Sequence, residues 1–225
     1  MSRDLQTLES LGVEIDHLDQ QVLKKLEPAI SDECLAGADL SAYRTPASAQ
    51  IRNPWLLRAI REACLQRGVK IVEQVEVLGF DLEQDRIVAA ETTSGSFSAE
   101  QVCLTSGAWT KALAGKVGIS LPMKPIRGQI VLLRLNEQIH QNIIHHGPHY
   151  LVPRPDGYVL AGTTLEDVGF EKQTTVKAVR EILHFASSMF PQLATAQVER
   201  CWAGLRPASL EVTMCLLVRY LLHLL

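Results

Sequence analysis

The pattern of apolar residues changes at Leu121-Pro122, and that change decides what the chain can build. Beyond it lie residues 123–135, 142–146, 150–153 and, after an Asp156-Gly157 turn, 158–164. These runs are short and rich in β-branched residues, which predicts antiparallel strands. One helix interrupts them, predicted over 175–189 with Val176, Val179, Ile182, Leu183 and Ala186 as its buried face. A further strand over 197–205 leads to Arg206-Pro207. Before Pro122 the order is different. Asn53 and Pro54 open a helix whose stripe is Trp55, Leu56, Ala59, Ile60, Ala63 and Cys64, and Gly68 closes it. Strands are predicted over 70–72, 75–82, 86–93 and, past a Ser94-Gly95 turn, 97–104, followed by a helix over 109–117. The fold class is therefore α/β, α+β overall. An α/β part covers 1–121 and an antiparallel sheet with one flanking helix covers 122–210, leaving an apolar tail at 211–225.

The first fifty residues carry Leu5, Leu8 and Leu11, then Leu18, Val22, Leu23 and Leu26. Such short amphipathic stretches need a body to lie on. Composition supplies one: 47% of the 225 residues are hydrophobic and 21% charged, which excludes a disordered chain. A net charge of −3 gives no electrostatic footprint for nucleic acid. Cys34, Cys64, Cys103, Cys201 and Cys215 are odd in number and lack a CxxC pair, which fits free thiols in a reducing compartment. Residues 1–10 are polar and show no leader, so the expected location is the cytoplasm. The tail is too short, with Arg219 and His223 inside it, to span a bilayer.

Ser106-Gly107 ends the predicted strand over 97–104 and opens a helix. A strand that stops at small residues and passes to a helix presents N–H groups at a sheet's carboxyl edge, where nucleotides bind. A plain βα loop has the same sequence, and both readings stay open here. No GxSxG, HExxH or P-loop motif is present. His145, His146 and His149 cluster without further ligands at a spacing that closes a tetrahedron, so they are read as loop and strand residues and no metal is expected. Trp55, Trp109 and Trp202 are read as packing residues.

Four segments carry a family resemblance: GAWT at 107–110, PMKPIRGQ at 122–129, HYLVPRPDGYVLAGTTLEDVGF at 149–170 and WAGLRPAS at 202–209. In this order and at these separations the chain resembles the D-amino acid oxidase family of flavoproteins, and within it the members that oxidise glycine for thiamine (thiazole) synthesis. The resemblance implies a partial FAD-binding, Rossmann-like domain over 1–121 and a substrate-binding sheet domain over 122–210. It implies FAD-dependent oxidation of a small amino acid, with hydride passing to the flavin and dioxygen reoxidising it to hydrogen peroxide. Arg206 matches the arginine that clamps the substrate carboxylate, and Tyr150 the tyrosine whose hydroxyl reaches it. Leu165 matches an apolar side chain against the substrate. Arg127, Gly128 and Gln129 match the segment beneath the flavin ring, while Val75, Ser106 and Gly107 match backbone that meets the adenosine and pyrophosphate. The implied partners are a small amino acid and dioxygen, with no nucleic acid and no membrane span; self-association is left open. Sarcosine oxidase, quinone-linked amine dehydrogenase and a non-catalytic remnant are the alternatives.

The chain departs from that family in two places. No G-x-G-x-x-G spacing occurs, so the turn that brings a helix N-terminus to the pyrophosphate is missing and FAD is expected to bind this chain weakly or not at all. Past Ser209 the sequence no longer follows the family, and 211–225 is read as unrelated to it.

Overall fold

The computed structural model describes residues 3–36, 41–84 and 86–209; the apolar tail lies outside them. In chain order the elements are α1 Arg3–Ser10, β1 Asp16–Leu18, α2 Gln20–Leu26, α3 Asp32–Leu35, β2 Ala42–Arg44, α4 Asn53–Gln66, β3 Val77–Glu83, β4 Arg86–Thr92 and β5 Gly95–Ser98. A 3-10 turn at Gly107–Trp109 then leads into α5 Thr110–Gly115, β6 Met123–Arg134, β7 Ile144–His146, β8 His149–Pro153, β9 Tyr158–Gly162, α6 Val176–Met189 and β10 Gln197–Ser209. Two compact units result, and they interleave along the chain. The first comprises the described parts of Met1–Arg52, Gln129–Leu165 and Gln173–Ala203. The second comprises those of Asn53–Gly128, Glu166–Lys172 and Gly204–Leu225.

In the first unit the strands run in the order β10-β6-β9-β8-β7, and β6, β9, β8 and β7 pair antiparallel, as expected from the sequence. Successive side chains of a strand point to opposite faces. One face carries Val131, Leu133, Leu151, Val159 and Ala161, all nearly inaccessible, in a single core cluster with Ile182, Phe185, Ala186 and Met189 of α6. Thr175 caps α6 through the amide of Ala178. Val176, expected on the buried face, is 87% exposed: the stripe runs through Ala178, Ile182, Phe185, Ala186 and Met189, rotated away from the first helical residue. The early amphipathic segment does find its body, since Ile30 and Leu35 join this core and Leu23 packs against it. Asp19 caps α2, Ser31 caps α3, and Asp16 receives two bonds from the Arg44 guanidinium across β1 and β2.

A polar knot lies inside the first unit. Glu27, 1% exposed, accepts from the amides of Gln141 and Asn142 and from the Asn142 side chain. Beside it His140 stacks on Phe190 with ring centroids 4.7 Å apart; its Nδ1 lies 3.0 Å from the Asn142 carbonyl, and its buried Nε2 has no partner among the described residues. Burial pushes the His140 imidazole below its ordinary value, against the opposite pull of the Asn142 carbonyl and the Glu27 carboxylate. The unfolded chain titrates this ring near ~6.5. Below that pH the unfolded state takes up a proton that the folded state refuses. The contribution is therefore present in full above about 6.5 and is lost as pH falls toward the lower folded value. Urea midpoints should drop between pH 7.5 and 5.5, and His140→Gln should flatten that drop.

In the second unit β3, β4 and β5 form an antiparallel meander. Helix α4 starts and stops where its signals place it, yet none of its residues is buried, and Trp55, Leu57 and Ile60 are half or more exposed. Trp55 and Trp109 are not packed as expected: Trp109 is 52% exposed and touches Phe170 at 5.5 Å between centroids. The strand predicted at 70–72 is absent, the next begins at Val77 so that Val75 precedes it, and the one predicted over 97–104 ends at Ser98. The reason is physical. A strand exists only by exchanging backbone hydrogen bonds with a neighbour, and no described segment ladders with 69–76 or 99–106.

Candidate active site

Tyr150 sits at the centre of a cross-strand row. It pairs with His145 of β7 on one side and with Gly162 of β9 on the other, and Gly162 in turn pairs with Ile130 of β6. This row belongs to the face of the sheet opposite α6. Ile130, Leu132, Val152 and Leu160 share that face, half-buried where their strand neighbours are fully buried. His145 beside Tyr150, and Arg134 over the Tyr158 ring, lie on the same face, so the surface is mainly apolar with a few polar groups, the chemistry of a site for a small polar-headed molecule. Leu165, three residues past Gly162, is 63% exposed.

The predicted cofactor residues are placed as follows. Arg127 is nearly inaccessible; its guanidinium pairs with Glu166, and its backbone exchanges hydrogen bonds of 2.9 and 3.0 Å with the same residue. Gln129 is fully buried, its side-chain oxygen accepting from the Thr175 amide at 2.7 Å and its own amide donating to the Thr164 hydroxyl. Both side chains therefore brace the fold. Gly128 between them is buried. Ser106 bonds to Thr110, and Gly107 follows in the left-handed region at φ +56° with open space where a Cβ would stand. That open, positive-φ turn fits close approach of a phosphate or adenosine. Val75 lies half-buried just before β3, and Arg206 half-buried on β10. Tyr150, Leu165 and Gln129 fall in the first unit, and the remaining six residues in the second.

A family model for FAD dependent oxidoreductases matches residues 1–217. The chain belongs to this DAO family. It is 35% identical over 164 residues to a glycine oxidase of Pseudomonas putida, covering 72% of this chain and 45% of that one. It is 32% identical over 197 residues to a bifunctional protein ThiO/ThiG of Synechocystis, covering 85% and 28%. Among solved structures, glycine oxidase from Geobacillus kaustophilus superposes with a TM-score of 0.84 at 26% identity, over 93% of this chain and 55% of that one. The mixed α/β fold with antiparallel sheets expected from the sequence is thus a glycine oxidase fold. The chain spans about half the length of the glycine oxidases it matches.

Two residues of this DAO family member escaped the sequence reading. Glu166, the partner that holds Arg127, sits 39 residues away with no local signal. Gly162 did leave one, since a glycine inside a strand marks close approach by another group. His145, His146 and His149 lie on β7 and β8, with His146 and His149 stacked on Phe185. No described helix is long and apolar enough to cross a membrane.

Proposed function

We propose that this chain serves FAD-dependent oxidative deamination of glycine or another small amino acid, giving the oxoacid, ammonia and hydrogen peroxide, in the service of thiazole and thiamine synthesis. Membership of the DAO family supports this, together with likeness to glycine oxidases and to a ThiO/ThiG protein. The structural observation that supports it most is Tyr150, its ring lying over Gly162 on a sheet face that also carries the apolar side chains of Ile130, Leu132 and Leu160.

FAD, when bound, supplies the acceptor for the hydrogen and electron pair leaving the amino acid Cα. The backbone of Val75, Ser106-Gly107 and Gly128 would hold it. The Arg206 guanidinium offers two parallel donors that match a carboxylate and fix the direction of the Cα–H bond. The Tyr150 hydroxyl donates a further hydrogen bond to a carboxylate oxygen. Leu165 limits the size of the substrate side chain. No residue of the chain is required to act as a base.

The test is a flavin titration followed by turnover. FAD should bind the purified chain weakly but saturably, and glycine added without air should bleach the bound flavin, with peroxide forming when air returns. Sarcosine and D-alanine in place of glycine define the substrate, and a quinone in place of air defines the acceptor. Absence of saturable flavin binding at high FAD overturns the oxidase reading for this chain in favour of a cofactor-free remnant.

A further inference from the structure

Gly162 stands directly across the β8–β9 ladder from Tyr150. The tyrosine ring does not rise from the sheet but lies over the glycine. A Cβ at position 162 would come 2.7 Å from the ring Cζ, 2.8 Å from the hydroxyl oxygen and 3.0 Å from Cε2. Non-bonded carbon atoms settle at about 3.5–4.0 Å. An added methyl group would therefore lift the end of the ring by roughly 1 Å. The displaced atoms are those at the hydroxyl end, which is the chemically useful end of the residue. On the opposite flank the His145 ring, 5.8 Å away between centroids, limits where the tyrosine can retreat. Gly162 itself cannot yield, because its other side is laddered to Ile130 in β6.

We infer that Gly162 is a positioning residue for substrate: its missing side chain is the seat of the Tyr150 ring and sets the height at which the hydroxyl meets a substrate carboxylate. This rests on the reading of Tyr150 as a carboxylate-binding residue. The sheet then does more than present a tyrosine. It seats the ring directly against the backbone of the neighbouring strand.

The experiment labels the full chain with 3-fluorotyrosine, of which four are incorporated, and assigns the Tyr150 fluorine resonance by its loss in Tyr150→Phe. Gly162→Ala should move that resonance and leave those of the other tyrosines in place. Glycine titrated into the wild-type chain should shift the Tyr150 resonance. The same titration in Gly162→Ala should need about ten-fold more glycine, as expected when one hydrogen bond to a charged group is misplaced. An unmoved resonance in Gly162→Ala, or an unchanged glycine titration, overturns the role of Gly162. A wild-type resonance indifferent to glycine instead overturns the reading of Tyr150, so the two failures appear in different spectra. Should Gly162→Ala not fold, the double variant Tyr150→Val/Gly162→Ala decides. Recovery of a melting temperature close to that of Tyr150→Val supports the ring contact, and failure of the double variant to fold overturns it.

Discussion

Arg206→Ala is expected to weaken glycine binding by about 2–4 kcal/mol, roughly 30- to 1,000-fold. The size follows from what a carboxylate loses. In the proposed role two charge-assisted hydrogen bonds and the charge itself disappear together, and the carboxylate must then return to water or stay unpaired. Arg206 is half-buried on β10, which places the effect below that of a fully desolvated pair. Arg206→Lys retains charge but not the planar fork, so its loss should fall between the wild type and alanine. Ligand-observed NMR of glycine with each variant measures this directly, and far-ultraviolet circular dichroism checks that the strand survives. Equal affinity in all three proteins would show that the arginine lies elsewhere than at the carboxylate.

Glu27→Ala should be the most damaging single change to the first unit. Its carboxylate gathers the amides of Gln141 and Asn142 and the Asn142 side chain at 2.6–3.3 Å while being 1% exposed. Alanine takes the acceptor from all three donors; Gln141 and Asn142 are exposed residues, so water reaches part of them, and each donor left unpaired against the protein costs about 1–3 kcal/mol. With part of the donors rehydrated the net loss should be about 2–4 kcal/mol, a fall in melting temperature on the order of 10 °C. Glu27→Gln restores one acceptor but turns an NH2 group toward donors, so it should recover only part. A melt of Glu27→Ala within ~2 °C of wild type would mean that water replaces the carboxylate at no cost.

What the sequence made legible depended on the range of the interaction. Helix α6 was placed to within one residue because a 3.6-residue apolar period is a local signal, as were the Asn53-Pro54 start and the Gly68 stop of α4. Strands β6 to β9 were legible because strand-rich runs and the Asp-Gly turn are signals shared by neighbours in sequence. Residues 70–72 and 99–104 have strand composition but no ladder partner among the described residues, and composition cannot report a missing partner. The same limit applied at the candidate site. Tyr150 and Arg206 came from motif resemblance, whereas the tie between Glu27 and Asn142 spans 115 residues and has no local trace.

The interleaving of the two units has a consequence for synthesis on the ribosome. The first unit takes α1 to α3 from before Arg52 but its closing residues from as late as Ala203. At about 5–20 residues per second, roughly 10–30 s separate the emergence of those ends. Throughout that interval Leu23, Ile30 and Leu35 have no completed sheet to pack on, and α4, with no buried residue of its own, is already outside the tunnel. Nascent chains of this protein are therefore expected to depend on holding chaperones until β10 emerges, and rare codons placed before it would lengthen that dependence.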